Sequence, residues 1–246
     1  MTAGKAAPNV PTRDDVPIRD AASLIVWNAE RTRVLVGKRQ ATAVFVPGKY
    51  VFPGGRLEEA DTVLARRGWP HWAPDPHDPH NGCDHVALAL AALRETCEET
   101  GLAITDPGPG PFAADTPDDL PAVWRPIVRA VGPGVLHARR LVYIGRAVTT
   151  PGNVRRYDTR FYECVLTDTD QPDALSPDGE FTDWRFIDAA DMAAIPLHIV
   201  TRTLLADRFA AQGAQTAQPL YYMHDGAGFS RVPLTPWRGP NAAPGA

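Results

Sequence analysis

The stretch Arg94-Glu95-Thr96-Cys97-Glu98-Glu99-Thr100-Gly101-Leu102 constrains this chain more than any other. It ends a helix predicted over 85–100, with Gly101 placed to terminate it. At about 100° per residue, Glu95, Glu98 and Glu99 fall within an arc of roughly 100°. Val86, Leu90, Leu93 and Cys97 fall on the opposite side, within roughly 60°, and Leu88 breaks the pattern. One face is therefore expected to pack into a core and the other to present three carboxylates. Like charges at these spacings repel by a few tenths of a kcal/mol. They also lie near the helix C-terminus, where the dipole disfavours negative charge. A divalent cation reverses both penalties, and Mg²⁺ favours such oxygen ligands. A solvated acidic face neutralised by Arg94 would fit the same pattern.

The rest of the chain frames that helix. Its 246 residues are 44 % apolar and 22 % charged, enough for one large domain with a core. Strands are predicted over 22–27, 33–38, 50–52, 141–148, 159–166, 181–187 and 219–223. Helices are predicted over 120–131, 189–194 and 198–212. Strands and helices mix without a strict βαβ rhythm, which favours an α+β fold. A flexible N-terminal arm is expected over 1–18 and a flexible C-terminal tail over 235–246, leaving the domain at 19–234. The four prolines of 69–84 make an irregular loop, inserted at about 62–84.

A net charge of −4 disfavours a nucleic-acid coat or a polybasic membrane anchor. No apolar run approaches the roughly 18 residues that span a bilayer. The first 20 residues do not read as a secretory signal, and Pro-Gly-Ala at the end is no peroxisomal address. Cys83, Cys97 and Cys164 form no CxxC pair, so a reducing cytoplasm is the expected location.

Upstream lies Phe52-Pro53-Gly54-Gly55-Arg56-Leu57-Glu58-Glu59-Ala60-Asp61. Two glycines after a strand permit positive φ and close backbone approach, though alone they describe any strand-ending turn. Together the two segments resemble the nudix box, G-x5-E-x7-R-E-U-x-E-E-x-G-U, where U is apolar. Gly55 fits the first glycine, and Arg94, Glu95, Glu98, Glu99, Gly101 and Leu102 fit the second half. Asp61 stands in place of a glutamate and Thr96 in place of an aliphatic residue. Between Asp61 and Arg94 lie 32 residues rather than 7, an insertion of 25. This split box is similar to the branch that includes peroxisomal coenzyme A diphosphatases. Arg39, Gly48 and Phe52-Pro53-Gly54-Gly55 keep the spacing of that subfamily's upstream pattern, while Val44 replaces its middle arginine and Gln40 a small residue. Arg155-Arg156-Tyr157-Asp158-Thr159-Arg160-Phe161-Tyr162 also resembles the split-box branch.

The resemblance implies an α/β/α sandwich with a mixed β-sheet. It implies a Mg²⁺- or Mn²⁺-dependent pyrophosphohydrolase that cleaves a nucleoside diphosphate linked to another moiety. The implied metal ligands are Glu98 and Glu99, with Glu95 a further ligand or the group that handles the water's proton. Arg94 would orient the carboxylates, and Gly54 and Gly55 would let the loop pass close to the helix. The family's carboxylate from outside the box would be Glu180, or alternatively Glu163. The implied substrate is coenzyme A or acyl-coenzyme A, cut to 3′,5′-ADP and a phosphopantetheine. Alternatives are an ADP-ribose or NADH diphosphatase and a non-catalytic nucleotide sensor. The expected partner is a small nucleotide, with no nucleic acid and no membrane. Many relatives dimerise, so a homodimer is admissible.

Residues 121–157 hold seven arginines (Arg125, Arg129, Arg139, Arg140, Arg146, Arg155, Arg156) and no acid. Guanidinium suits phosphate. With 22 Arg to 3 Lys in the chain, most are expected to be structural. Arg39, Arg155 and Arg156 are the expected substrate contacts. His71, His77, His80, Cys83 and His85, with Asp75, Asp78 and Asp84 between them, could hold Zn²⁺ but match no finger or ribbon spacing; a surface loop or lid is expected. Asp84 is the expected helix N-cap. Trp124, Tyr157, Tyr162 and Trp184 could stack a base, with Trp184 expected in the core.

Overall fold

A computed structural model describes residues 16–67, 83–105, 120–136, 138–174, 176–211, 219–224 and 228–234. The described strands are β1 (Ile18–Trp27), β2 (Val34–Arg39), β3 (Tyr50–Val51), β4 (Gly54–Arg56), β5 (Val142–Val148), β6 (Arg156–Val165), β7 (Phe181–Ile187), β8 (Leu220–His224) and β9 (Phe229–Pro233). The helices are α1 (Glu59–Arg66), α2 (Cys83–Thr100), α3 (Trp124–Val131) and α4 (Ile199–Ala210). The strands form one mixed sheet in the order β3-β2-β1-β6-β5-β8-β9, with β4 also on β1 and β7 also on β2. β1 and β6 run parallel along their whole length, from Ile18 opposite Arg156 to Trp27 opposite Val165.

Alternation along the central strands builds two cores. Ala22, Leu24 and Val26 of β1 join Leu35, Tyr162 and Cys164 under α1, α2 and α3. Ile25 and Trp27 join Val34, Val36 and Phe161 under Leu204 and Leu205 of α4. Helices thus cover both faces, and the chain is an α/β/α sandwich. Cys97 and Cys164 are buried free thiols.

The other edge of β1 changes partner partway along. Ala21 to Ser23 pair antiparallel with Gly54–Arg56 of β4, whereas Trp27 pairs with Val34 of β2. Leu24 N–H donates to Pro53 O between the two (3.0 Å). This handover carries the Phe52-Pro53-Gly54-Gly55 segment across β1 and delivers it beside α2.

Several elements depart from expectation. Helix α2 is buried on nearly every side, Leu88 included, because α1 and α3 pack against it as well as the sheet. It begins at Cys83, so Asp84 lies inside the first turn rather than capping it. Helix α1 occupies positions where no element was expected, and β4 and β9 were also unforeseen. β1 begins at Ile18, four residues early; its charged start is held by β6, with Arg160 Nη1 2.7 Å from Asp20 Oδ1. Helix α3 starts at Trp124, which places Pro126 in the first turn, where a missing N–H costs no intrahelical bond. The helix expected over 189–194 is a single 3₁₀ turn, Asp191–Ala193. Asp188 holds that turn by accepting the N–H groups of Ala190 and Asp191. Most of the histidine-rich insertion (68–82), residues 1–15 and the 235–246 tail lie outside the described residues.

Candidate active site

Arg94 organises the end of α2. It is 2 % exposed. Nε and Nη2 reach the two oxygens of Asp61 at 3.0 and 2.9 Å. Nη1 reaches Glu95 Oε1 at 3.0 Å and Glu98 Oε2 at 2.8 Å, and Nη2 also donates to Arg56 O at 3.1 Å. The planar fork thus joins α1, the glycine loop and two box glutamates. Asp61 is fully buried in α1. It also accepts Trp124 Nε1–H and Glu58 N–H, each at 3.1 Å. The shorter acid at the box position is therefore a two-oxygen clamp on Arg94. Its position in the box singles it out in the sequence; nothing there announces Trp124.

The glycines explain how the loop meets the helix. A Cβ on Gly55 would overlap the Glu95 carboxylate. Gly54 has φ +150, and a Cβ there would run into Ala22 O and Ser23. Its N–H donates to Glu99 Oε2 at 2.8 Å. Glu99 is 2 % exposed. Burial raises its proton affinity well above the ordinary carboxylate range, and Glu95 and Glu180 add to this; Gly54 N–H and Arg39 oppose it. Burial also pushes Glu95 up to about 7, against the pull of Arg94. Glu98 is raised in the same way, burial first and Arg94 opposing.

Glu180 precedes β7, on a loop docked to the end of α2. Asp178 N–H donates to Glu98 O (2.9 Å) and Ala174 N–H to Gly101 O (2.8 Å), satisfying carbonyls at the helix terminus. The Glu180 side chain is 53 % exposed and lies 2.9 Å from Arg39 Nη2. Arg39 Nη1 stands 3.9 Å from Glu99 Oε1. Glu180 therefore joins the box glutamates, and Glu163 does not. Glu163 is buried at the base of α4, where it takes Arg208 Nε and Nη2 (2.9 and 2.7 Å), Trp27 Nε1 (3.1 Å) and Arg31 Nη2 (3.0 Å). Its oxygens pin α4 to the sheet and are absent from the cavity lining.

Glu95, Glu98, Glu99 and Glu180 line one part of a cavity of about 1220 Å³. Arg39, Arg155 and Arg156 line it too, as do Arg19, Lys49 and Arg56, which sequence reasoning missed. The other arginines with described partners are structural. Arg125 donates to Leu120 O, Arg140 pairs with Asp170, and Arg146 grips Asp158 with two bonds. Of the four aromatics, Tyr157 alone lines the cavity, with Phe45 edge-on at 5.2 Å. Trp124 and Tyr162 are core residues. Trp184 is not; it is 41 % exposed because β7 pairs only with β2, at the sheet margin. His85 is a core residue, its Nδ1 2.9 Å from the Tyr162 hydroxyl.

The donor set fits a hard divalent cation. Glu95, Glu98 and Glu99 offer buried or partly buried carboxylate oxygens whose raised proton affinity a cation would relieve. Among the described residues no three acidic, His or Cys side chains already converge on one point. Arg94 holds Glu95 and Glu98 to one side, while Gly54 N–H holds Glu99. No helix of the described residues is long and apolar enough to cross a membrane.

No protein-family model matches the chain. Among solved structures, a nudix hydrolase from Alicyclobacillus acidocaldarius is 31 % identical, with a TM-score of 0.58 over 81 % of this chain and 95 % of that one. Among curated proteins, nudix hydrolase 7 of Caenorhabditis elegans is 28 % identical over 68 % of this chain and 50 % of its own length. The human acyl-coenzyme A diphosphatase NUDT19 is 29 % identical over 61 % of this chain and 51 % of its own. The chain thus spans about half the length of the curated relatives it matches. With the split box, the sandwich and the Arg94-centred acidic cluster all in place, the chain belongs to the nudix hydrolase family, and within it resembles the coenzyme A diphosphatases.

Proposed function

We propose that this chain is a metal-dependent pyrophosphohydrolase that cuts coenzyme A or acyl-coenzyme A to 3′,5′-ADP and a phosphopantetheine. One observation carries the reading. Glu95, Glu98, Glu99 and Glu180 line the same cavity as Arg39, Arg155 and Arg156. Acidic and basic groups then serve different partners, a cation and a diphosphate. Glu95, Glu98 and Glu99 would hold Mg²⁺ or Mn²⁺, which when bound neutralises phosphate oxygens and orients a water.

The remaining work falls to side chains of this chain. Arg94 and Asp61 keep Glu95 and Glu98 in place from behind. Gly54 and Gly55 keep the loop backbone close enough for phosphate to reach the acidic cluster. Arg39, Arg155 and Arg156 bind anionic oxygens of the substrate. Glu180, half open at the cavity edge, would complete the cation's carboxylate set from outside the box, and the water's proton passes to a carboxylate of the cluster as water oxygen bonds to phosphorus and the P–O bond of the anhydride breaks.

The likeness to a human acyl-coenzyme A diphosphatase and the Arg39-to-Gly55 spacing support the coenzyme A class. Val44 supports the second reading, an ADP-ribose or NADH diphosphatase. It lines the cavity, largely exposed, where the coenzyme A pattern has an arginine. The deciding experiment offers coenzyme A, an acyl-coenzyme A, NADH, ADP-ribose and dinucleoside polyphosphates in turn with Mg²⁺ or Mn²⁺. Release of 3′,5′-ADP from coenzyme A is expected. Turnover of ADP-ribose or NADH alone would assign the second reading. Binding without turnover of any of them would make the chain a sensor.

A further inference from the structure

Arg39 ends β2, just past a register shift against β7 between Lys38 and Arg39. Its backbone N–H donates to Lys49 O at 3.0 Å, which fixes where the side chain departs. The guanidinium then stands between two acids from different elements, with Nη2 2.9 Å from Glu180 and Nη1 3.9 Å from Glu99. Its Nε is buried and meets no hydrogen-bond acceptor among the described residues. A buried N–H without an acceptor is costly, so one donor of this fork still lacks its intended partner.

We propose that Arg39 is the resident counter-ion of the acidic cluster, displaced when a divalent cation binds and released onto the diphosphate of the substrate. This rests on the metal reading of Glu95, Glu98 and Glu99 given above. Arg39 and the cation compete for Glu99 and Glu180, because one set of carboxylate oxygens cannot face both at close range. The freed fork matches a phosphate with two parallel N–H bonds, and Nε is a natural member of such a pair. Metal and diphosphate then favour the same arrangement of Arg39. Each must therefore raise the affinity of the other, by the same factor. In the absence of nucleotide the competition holds the metal affinity down.

The test is a titration of Mn²⁺ into the full chain without nucleotide, followed by α,β-methylene-ADP at saturating Mn²⁺. Arg39→Gln is expected to bind Mn²⁺ at least about threefold more tightly than the wild type, the scale of one lost competing ion pair. The same variant is expected to bind α,β-methylene-ADP about tenfold more weakly. Arg155→Gln removes a cavity arginine that has no ion pair with the cluster, and should leave Mn²⁺ affinity within about twofold. Unchanged or weaker Mn²⁺ binding by Arg39→Gln, or equal tightening by Arg155→Gln, overturns the counter-ion role and leaves the metal site standing. Failure of the wild type to bind Mn²⁺ even with α,β-methylene-ADP overturns the metal reading itself. Should Arg39→Gln not fold, Arg39→Lys keeps the charge without the fork. It is expected to match wild-type Mn²⁺ affinity while losing nucleotide affinity, and the opposite pattern overturns the proposal.

Discussion

Gly55 has no side chain because the Glu95 carboxylate fills the place a Cβ would take. A methyl group there must push either the loop or the glutamate away. Gly55→Ala is therefore expected to leave the fold intact, since β4 is a three-residue strand paired with β1 alone, and to lower kcat by about tenfold or more through the displaced carboxylate. Steady-state kinetics beside a far-UV spectrum check this; a fully active variant would show that Glu95 has room to spare. The glycines and glutamates were legible in sequence because their chemistry is tied to fixed spacing. The Asp61, Arg94 and Trp124 contact was not. It joins residues 33 and 63 positions apart, and no local periodicity reports such a meeting.

At the scale of elements, α1 exists to bring Asp61 under Arg94. Cutting that support leaves a buried guanidinium without its main counter-charge and Trp124 Nε1–H without an acceptor. Asp61→Ala should destabilise the fold by about 3–5 kcal/mol, read by chemical denaturation. A loss below about 1 kcal/mol would mean that Arg94 finds another partner. Strand β6 makes the second case. Sequence spacing alone could not choose between Glu163 and Glu180, because a strand residue's value depends on which neighbours its end of the sheet provides. Glu163 meets Arg208, Arg31 and Trp27 near the base of α4, and Glu180 meets Arg39 near the box. Glu163→Gln should therefore lower stability yet leave Mn²⁺ affinity as it was. Glu180→Gln should weaken Mn²⁺ binding and leave stability nearly unchanged. The reverse assignment of effects would restore Glu163 as the outer carboxylate. The Trp184 expectation failed for a related reason: alternation marks a strand but not whether it lies at the centre or the margin.

For the whole molecule, the α+β class was legible from the mixture of strand and helix patterns and the sandwich from the resemblance of the split box, while the order of strands in the sheet was not, since β1 and β6 meet across about 138 positions, Ile18 opposite Arg156. The assembled fold also stores charge that it cannot neutralise by itself. Glu95 binds its proton with a pKa of about 7 in the folded chain against an ordinary 4.5, and Glu98 and Glu99 shift in the same direction. Between those values the folded state holds more protons than the unfolded one. Stability of the metal-free protein is therefore full below about pH 4.5 with respect to these groups and falls as pH rises through 7. Thermal melts in a chelating buffer should show this decline, and Mg²⁺ or Mn²⁺ should flatten it by neutralising the same carboxylates. Melts that are flat across pH 5 to 7 without metal would contradict the burial of this cluster.

The most direct measurement is the initial rate of coenzyme A hydrolysis with Mg²⁺, compared between wild type and Glu98→Gln. If the acidic stripe of α2 carries a working cation, the wild type releases 3′,5′-ADP and the variant, equally well folded, is slower by about a hundredfold or more. A variant that hydrolyses coenzyme A at the wild-type rate would show that the chemistry does not depend on that stripe.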